Sequence, residues 1–263
     1  MRTALITGSG RREGLGFETA RQLAAEGFHV ILSARRFEQA EPLAADLVEE
    51  GFDASALELD LLDRASVTAA ARQVEERFGR LDALINNAAM MMASPTVADK
   101  DLDELMLEFQ TNVVGTWSVT QQMLPLLVAG GHGRIVNVSS GAGSFWDPDY
   151  GLVNYPGFEM DRFGEMPITA YALTKTALNG LTIKMAKELK DANVLVNAVC
   201  PGVTATRPGS EGMGPPGRRQ RRGRRLGRHP ARPRPHRPLL PGRQAAALVT
   251  EPSPNHLLAH HSQ

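Results

Sequence analysis

Ala4-Leu5-Ile6-Thr7-Gly8-Ser9-Gly10-Arg11-Arg12-Glu13-Gly14-Leu15-Gly16 is the stretch whose reading decides the fold. A short apolar strand runs into a glycine-rich loop, and Phe17 to Glu26 then follows helical spacing until Gly27 ends it. Strand, glycine loop and helix start, in that order, make an anion site. The N–H groups and dipole of the helix face the anion, and glycine lets it approach the backbone. The same residues also read as a plain turn, and this stretch alone leaves both readings open.

Working outward, His29 to Ser33 is a second strand, followed by Ala34-Arg35-Arg36. In a dinucleotide-binding fold an acidic residue at this strand end would hold the ribose 2′-hydroxyl of NAD. Arginine, a permanently charged fork of donors, suits the 2′-phosphate of NADP(H) instead. The competing reading is a solvated helix N-terminus. Further along, helices are expected over Glu38–Glu50 and from Asp63, as cap, to Phe78. A strand is expected over Ser55–Asp60, and Leu81–Ala89 reads as a strand running into a small-residue turn. Asp99–Val128 reads as one long helix with Asn112 inside it, Gly133–Ser140 as a strand, Ala170–Asp191 as a helix and Val194–Val199 as a sixth strand. Alternating strands and helices imply a parallel sheet covered on both faces, with ligands beyond the carboxyl ends of the strands. Asp60, Asn86 and Asn87 fall at such ends.

Tyr171 and Lys175 are four residues apart on a helix, so they share one face. A cation beside a phenol favours the phenolate and makes the tyrosine a proton donor and acceptor near neutral pH. The bland alternative is a surface lysine one turn from a half-buried tyrosine. Asn112 likewise reads from its surroundings as a buried amide tied to neighbouring backbone.

The 263 residues suffice for one large domain, or one domain and a tail. No apolar run approaches a membrane span, and the N-terminus enters a strand without a signal-peptide pattern. The lone Cys200 excludes internal disulfides and a cysteine-built metal site. A cytoplasmic location and no membrane partner are therefore expected. The overall charge of zero hides a split. Residues 1–206 hold 17 Lys+Arg and 27 Asp+Glu, whereas residues 207–263 hold 12 Arg against Glu211 and Glu251.

Together these pieces resemble the short-chain dehydrogenase/reductase family over residues 1 to about 206. The motifs are the Thr7-Gly8…Gly14-Leu15-Gly16 loop, Asp60, Asn86-Asn87-Ala88, Asn112, Ser139-Ser140, Tyr171-x-x-x-Lys175 and Pro201-Gly202. The resemblance implies a Rossmann-type α/β fold, a doubly wound parallel sheet in three layers. It implies NADP(H) as cofactor and hydride transfer to or from a carbonyl or alcohol substrate. In that comparison Tyr171 matches the acid/base and Lys175 the residue that lowers its pKa and holds the nicotinamide ribose. Ser140 matches the substrate-binding hydroxyl and Asn112 the asparagine that keeps a water in the proton relay. Thr7, Gly8, Gly10, Gly14, Leu15 and Gly16 match the pyrophosphate loop. Asp60 with Leu61, and Asn86 with Asn87 and Ala88, match the adenine side. Pro201, Gly202 and Thr206 complete the implied cofactor contacts, with Arg35 and Arg36 at the phosphate.

Five residues, Ser9 to Glu13, separate Thr7-Gly8 from Gly14-Leu15-Gly16, more than is usual in the family. Arg11 and Arg12 in that excess either help hold the NADP phosphate or are merely solvated. Ser140 and Tyr171 are also unusually far apart. The intervening 141–169, rich in aromatic residues and methionine, reads either as a lid over an apolar substrate or as a satellite core. It resembles the insertion of monomeric carbonyl reductases. The chain is expected to be a monomer or a homo-oligomer.

The last 57 residues, 207–263, carry ten of the 17 Pro and no aromatic residue. Such a segment is expected to be disordered and unlike the family. One reading is a basic arm for nucleic acid, weakened by the lack of stacking side chains. Another is a reading-frame change. Leu239 to Val249 can be encoded so that a one-nucleotide shift reads Phe-Phe-Arg-Asp-Gly-Arg-Gln-Leu-Pro-Trp and then a stop, similar to a seventh strand of the family. On that reading the chain is a truncated relative that at most binds NADP(H).

Overall fold

The structure, a computed structural model, describes residues 1–92, 97–143 and 168–201. Strand β1 (Arg2–Ile6) runs through the glycine loop into helix α1 (Leu15–Ala25), then β2 (Phe28–Ala34) and α2 (Phe37–Glu49). Next come β3 (Ala54–Glu58), α3 (Arg64–Phe78) and β4 (Ala83–Asn86). Helix α4 (Leu102–Phe109) passes through a π-helical turn (Gln110–Gly115) into α5 (Thr116–Ala129). Strand β5 (Arg134–Val138), a 3₁₀ turn (Gly141–Gly143), helix α6 (Thr169–Glu188) and β6 (Leu195–Val199) complete the described elements.

The six strands form one sheet in the order β3-β2-β1-β4-β5-β6, and every pairing is parallel. This is the expected doubly wound, Rossmann-type arrangement. Strand residues are apolar on both faces because both faces are covered. Ala4, Ile6, Val30, Leu32 and Ile85 pack on one side with Phe17, Ala20 and Leu23 of α1 and Leu43 and Leu47 of α2. Leu5, Ile31, Leu84 and Ile135 pack on the other with Val67 and Val74 of α3, Val119 and Met123 of α5 and Met185 of α6. Each fully buried large apolar side chain contributes about 1.5–3 kcal/mol relative to exposure.

Local chemistry sets the helix ends. The Asp63 carboxylate accepts the Ala65 N–H at 2.8 Å at the start of α3, as its sequence position predicts. Gly79 closes that helix with φ 67°. The expected single helix over Asp99–Val128 needs correction. Asp101 is its N-cap, and the helix is interrupted at Gln110–Gly115. The inserted turn coincides with Asn112, whose side chain is tied to two other segments, and such turns mark residues held by tertiary contacts rather than by helix periodicity.

Among the described residues no helix is long and apolar enough to cross a membrane. The lid-or-core expectation for 141–169 lies outside the described residues except at Gly141–Gly143 and at Ile168 and Thr169. Gly202, Thr206 and the 207–263 tail also lie outside them.

Candidate active site

The glycine loop and the turn after β4 meet at the carboxyl ends of two neighbouring strands, β1 and β4. Thr7, 1% exposed, is the tie between them. Its Oγ1 accepts the N–H groups of Asn87 and Ala88, both at 3.0 Å. The Asn87 amide donates to the carbonyls of Thr7 and Gly8 at 2.8 and 3.1 Å. The polar groups of Thr7 and Asn87 therefore hold two loops together. Gly16 shows why a glycine stands in this turn. A Cβ there would lie 2.7 Å from Asn87 Nδ2 and 2.8 Å from the Gly8 carbonyl, so the loop's own packing requires it. Gly8 abuts Ala88, and Gly10 abuts Ala34 and Gln39.

Helix α1 begins at Leu15 with Gly14 in the capping position and no side chain capping it. Its first-turn N–H groups, which have no intrahelical acceptor, thus have no side-chain cap either. Arg12 is paired with Asp46 of α2 and lies 5.6 Å above the Phe17 ring. Arg11, Arg35 and Arg36 are exposed, and none forms an ion pair among the described residues. Arg12 is thus engaged within the protein, and Arg11 forms no ion pair among the described residues.

Several residues of the implied adenine side make contacts within the protein. Asn86 is 3% exposed, inside the sheet. Its Nδ2 donates to Thr120 Oγ1 at 3.1 Å and to Asn137 Oδ1 at 2.8 Å. Asn137 donates onward to Thr182 Oγ1 at 2.8 Å. This buried chain joins β4, β5, α5 and α6. The Leu61 side chain packs in the core with α3 and α5, and Asp60 Oδ1 accepts the Leu62 N–H at 3.0 Å in a local turn.

At the other end of the cleft, α6 carries Tyr171 and Lys175 on one face, as the spacing predicts. Lys175 Nζ lies 5.4 Å from the Tyr171 ring centroid and donates to the Val138 carbonyl at 2.7 Å. Lys175 is 2% exposed. Burial lowers its pKa to about 8, with Cys200 acting more weakly in the opposite sense. The surface-lysine alternative is thus set aside. Tyr171 is half-buried and has interactions within the protein.

Ser140 follows β5, and its Oγ accepts the Ala142 N–H at 3.2 Å. The loop after it is clamped on α6. Asn179 accepts the Ser139 hydroxyl at 2.6 Å and donates to the Gly143 carbonyl at 3.1 Å, and Thr176 Oγ1 donates to that carbonyl at 3.1 Å. A Cβ on Gly143 would stand 2.5 Å from the Lys175 backbone, so the loop lies directly on the helix beside the lysine. Cys200 Sγ, after β6, accepts the Gly141 N–H at 3.1 Å, and Pro201 follows it.

Asn112 is 1% exposed. Its Oδ1 accepts the Met90 N–H at 2.7 Å, while Nδ2 donates to the Met90 carbonyl at 2.8 Å and to Thr174 Oγ1 at 3.0 Å. Both amide hydrogens are engaged, and the side chain ties the π-helical turn to the loop after β4 and to helix α6. Sequence reasoning missed Asn179, Thr176 and Gly143. The close glycine in Gly141-Ala142-Gly143 is the only signal the sequence carried for them.

The arrangement places a helix start open to anions and unpaired arginines at one end of the sheet's carboxyl edge. At the other end a buried cation lies beside a tyrosine. These features agree with comparisons to known proteins. The chain belongs to the short chain dehydrogenase family, whose model matches residues 2–155 and 162–211. It is 37% identical over 205 residues to the oxidoreductase UcpA of Escherichia coli (strain K12), covering 78% of this chain and 70% of that protein. It is 39% identical over 208 residues to the short-chain dehydrogenase anuI of Penicillium roqueforti, covering 77% and 78%. Among solved structures, a gluconate 5-dehydrogenase from Burkholderia cenocepacia J2315 in complex with NADP and tartrate superposes with a TM-score of 0.66. That pair is 31% identical and covers 78% of this chain and 72% of that one.

Proposed function

We propose that this chain is an NADP(H)-dependent oxidoreductase that moves a hydride between the nicotinamide and the carbonyl or alcohol carbon of a small molecule. The observation that carries this reading is Lys175, buried and 5.4 Å from the Tyr171 ring. A cation is costly to bury, and here it stands where it stabilises a phenolate.

The described residues fit the dinucleotide. The side-chain-uncapped start of α1 suits a pyrophosphate, and unpaired Arg35 and Arg36 suit a 2′-phosphate. The gluconate 5-dehydrogenase similar to this chain was solved with NADP, which supports the same choice. The nicotinamide supplies the hydride when bound. Ser140 donates a hydrogen bond to the substrate oxygen and orients it. In the reductive direction the Tyr171 hydroxyl gives its proton to that oxygen, and in the oxidative direction the phenolate takes the proton back. Lys175 stabilises the phenolate in both directions.

A melt of the full chain with NADPH and with NADH tests the cofactor, since a ligand that binds only the folded state raises the melting point. A larger upshift with NADPH is expected. A panel of carbonyl substrates with Tyr171→Phe as control tests the chemistry. Turnover surviving that substitution would refute the assigned acid/base.

A second reading is favoured by one observation: the family match stops at residue 211 of 263. On this reading the chain is a relative altered in its last part that binds the dinucleotide without turning over. An NADPH upshift with no turnover across the panel supports it. Sequencing the gene across the codons for residues 206–218 tests its cause, and an intact frame in related strains would sink the frame-change explanation.

A further inference from the structure

We propose that Glu58 is a specificity-determining residue, whose carboxylate stands where a 2′-phosphate would be drawn and tempers the preference for NADPH over NADH. This rests on the NADP(H) reading above. Strands β2 and β3 end in register, Ala34 beside Glu58, and the Leu59 N–H donates to the Ala34 carbonyl at 2.8 Å. That register brings the Glu58 side chain to the start of α2. There its Oε2 accepts the Phe37 N–H at 3.3 Å.

Phe37 is the first residue of α2, and Arg36 is its capping residue without a side-chain cap. The chain's own anion therefore already sits on one of the N–H groups that the helix leaves unpaired. It does so one residue from Arg36 and two from Arg35. Both arginines are exposed, and neither pairs with Glu58 or with another acid among the described residues. A phosphate entering between them gains two cations and the helix dipole. It also meets the Glu58 charge, either beside it or in its place. An unphosphorylated ribose meets no repulsion there, and a hydrogen bond from its 2′-hydroxyl to Glu58 can be kept by a glutamine oxygen. Selectivity is then a difference between an attraction and a built-in repulsion.

Glu58→Gln removes the charge and keeps a carbonyl oxygen for the Phe37 N–H. The test is fluorescence titration of the full chain with NADPH and with NADH at low and high salt. It compares the unsubstituted protein, Glu58→Gln, Arg36→Ala and the double variant. Glu76→Gln on the remote helix α3 controls for net charge.

Glu58→Gln is expected to tighten NADPH binding by about three- to tenfold, to change NADH binding less than about twofold, and to lose most of its gain at high salt. Arg36→Ala is expected to weaken NADPH selectively. An unchanged NADPH-to-NADH ratio in Glu58→Gln, an equal shift of both nucleotides, or the same gain from Glu76→Gln overturns the role of Glu58. If the unsubstituted chain binds neither nucleotide, the NADP(H) reading itself falls, and that outcome is distinct from the others.

Discussion

Replacing Lys175 with methionine separates the cost of a buried charge from the packing around it. Met is close to Lys in length and carries no charge. The folded Lys175 has a pKa of about 8 against an ordinary 10.5, because burial disfavours the cation. Between those values the unfolded chain holds a proton that the folded chain has released. Stability therefore rises with pH across that window. The rise, from a pKa of about 8 to the ordinary 10.5, is roughly 3 kcal/mol. Below the window both states are protonated and the cost of the buried cation is fully present. In Lys175→Met the titration is gone. The Val138 carbonyl, which accepts from Nζ at 2.7 Å, loses its partner at about 1–3 kcal/mol, with no dependence on pH.

The two effects nearly cancel near neutral pH, so the variant should unfold there at about the same urea concentration as the parent. By about pH 10 the parent should have gained roughly 3 kcal/mol that the variant does not gain. Urea unfolding across that range, at constant salt and without nucleotide, measures the difference directly. Groups remote from Lys175 titrate equally in both proteins and drop out, and making both proteins in a Tyr171→Phe background removes the tyrosine's own titration. Parallel stability profiles would refute the reasoning, since they would mean that Lys175 is not a depressed, buried cation.

Three further outcomes follow from the geometry. Gly143→Ala drives a methyl into the Lys175 backbone, where 2.5 Å is available, and should cost about 1–3 kcal/mol in a thermal or urea melt; turnover should fall further than NADPH affinity, because the loop carries Ser140. Asn86→Ala cuts the buried chain to Thr120 and Asn137 and should cost about 1–3 kcal/mol, with the NADPH-to-NADH affinity ratio unchanged; a selective loss of one nucleotide would return Asn86 to the cofactor surface. Asp63→Ala removes the N-cap of α3 and should cost about 1 kcal/mol by urea unfolding, with nucleotide binding unaffected.

What could be read ahead of the structure divides along a physical line. Local chemistry was legible: the β1–loop–α1 unit, the Asp63 cap and the Tyr171–Lys175 face all depend on residues a few positions apart. The use of polar side chains at strand ends was not. Asn86 and Asn87 are adjacent and look alike in sequence, yet one lies inside the sheet and the other fastens the glycine loop. Asn86 is the last residue of β4 and Asn87 lies in the turn after it, and the partners that bury Asn86 come from β5 and α5 far along the chain. Asn112 likewise interrupts a helix through partners at Met90 and Thr174, which no periodicity reveals. Glycines are hard to read for the same reason: a Cβ on Gly16 would meet Asn87, a neighbour from far along the chain that the loop itself does not reveal.

The strand order also has a consequence for how the chain assembles. β1 meets β2 across one short helix, and β2 meets β3 likewise, so these three can zip together as soon as they are synthesised. The seam between β1 and β4 pairs Ala4 with Ala83, and closing so long a loop costs entropy before any contact is gained. The Thr7–Asn87 and Thr7–Ala88 bonds lie on that seam. The glycine loop is therefore finished late, by the half of the molecule that also carries Tyr171 and Lys175, and a nascent chain stalled before β4 would have the glycines in place without the strand that braces them.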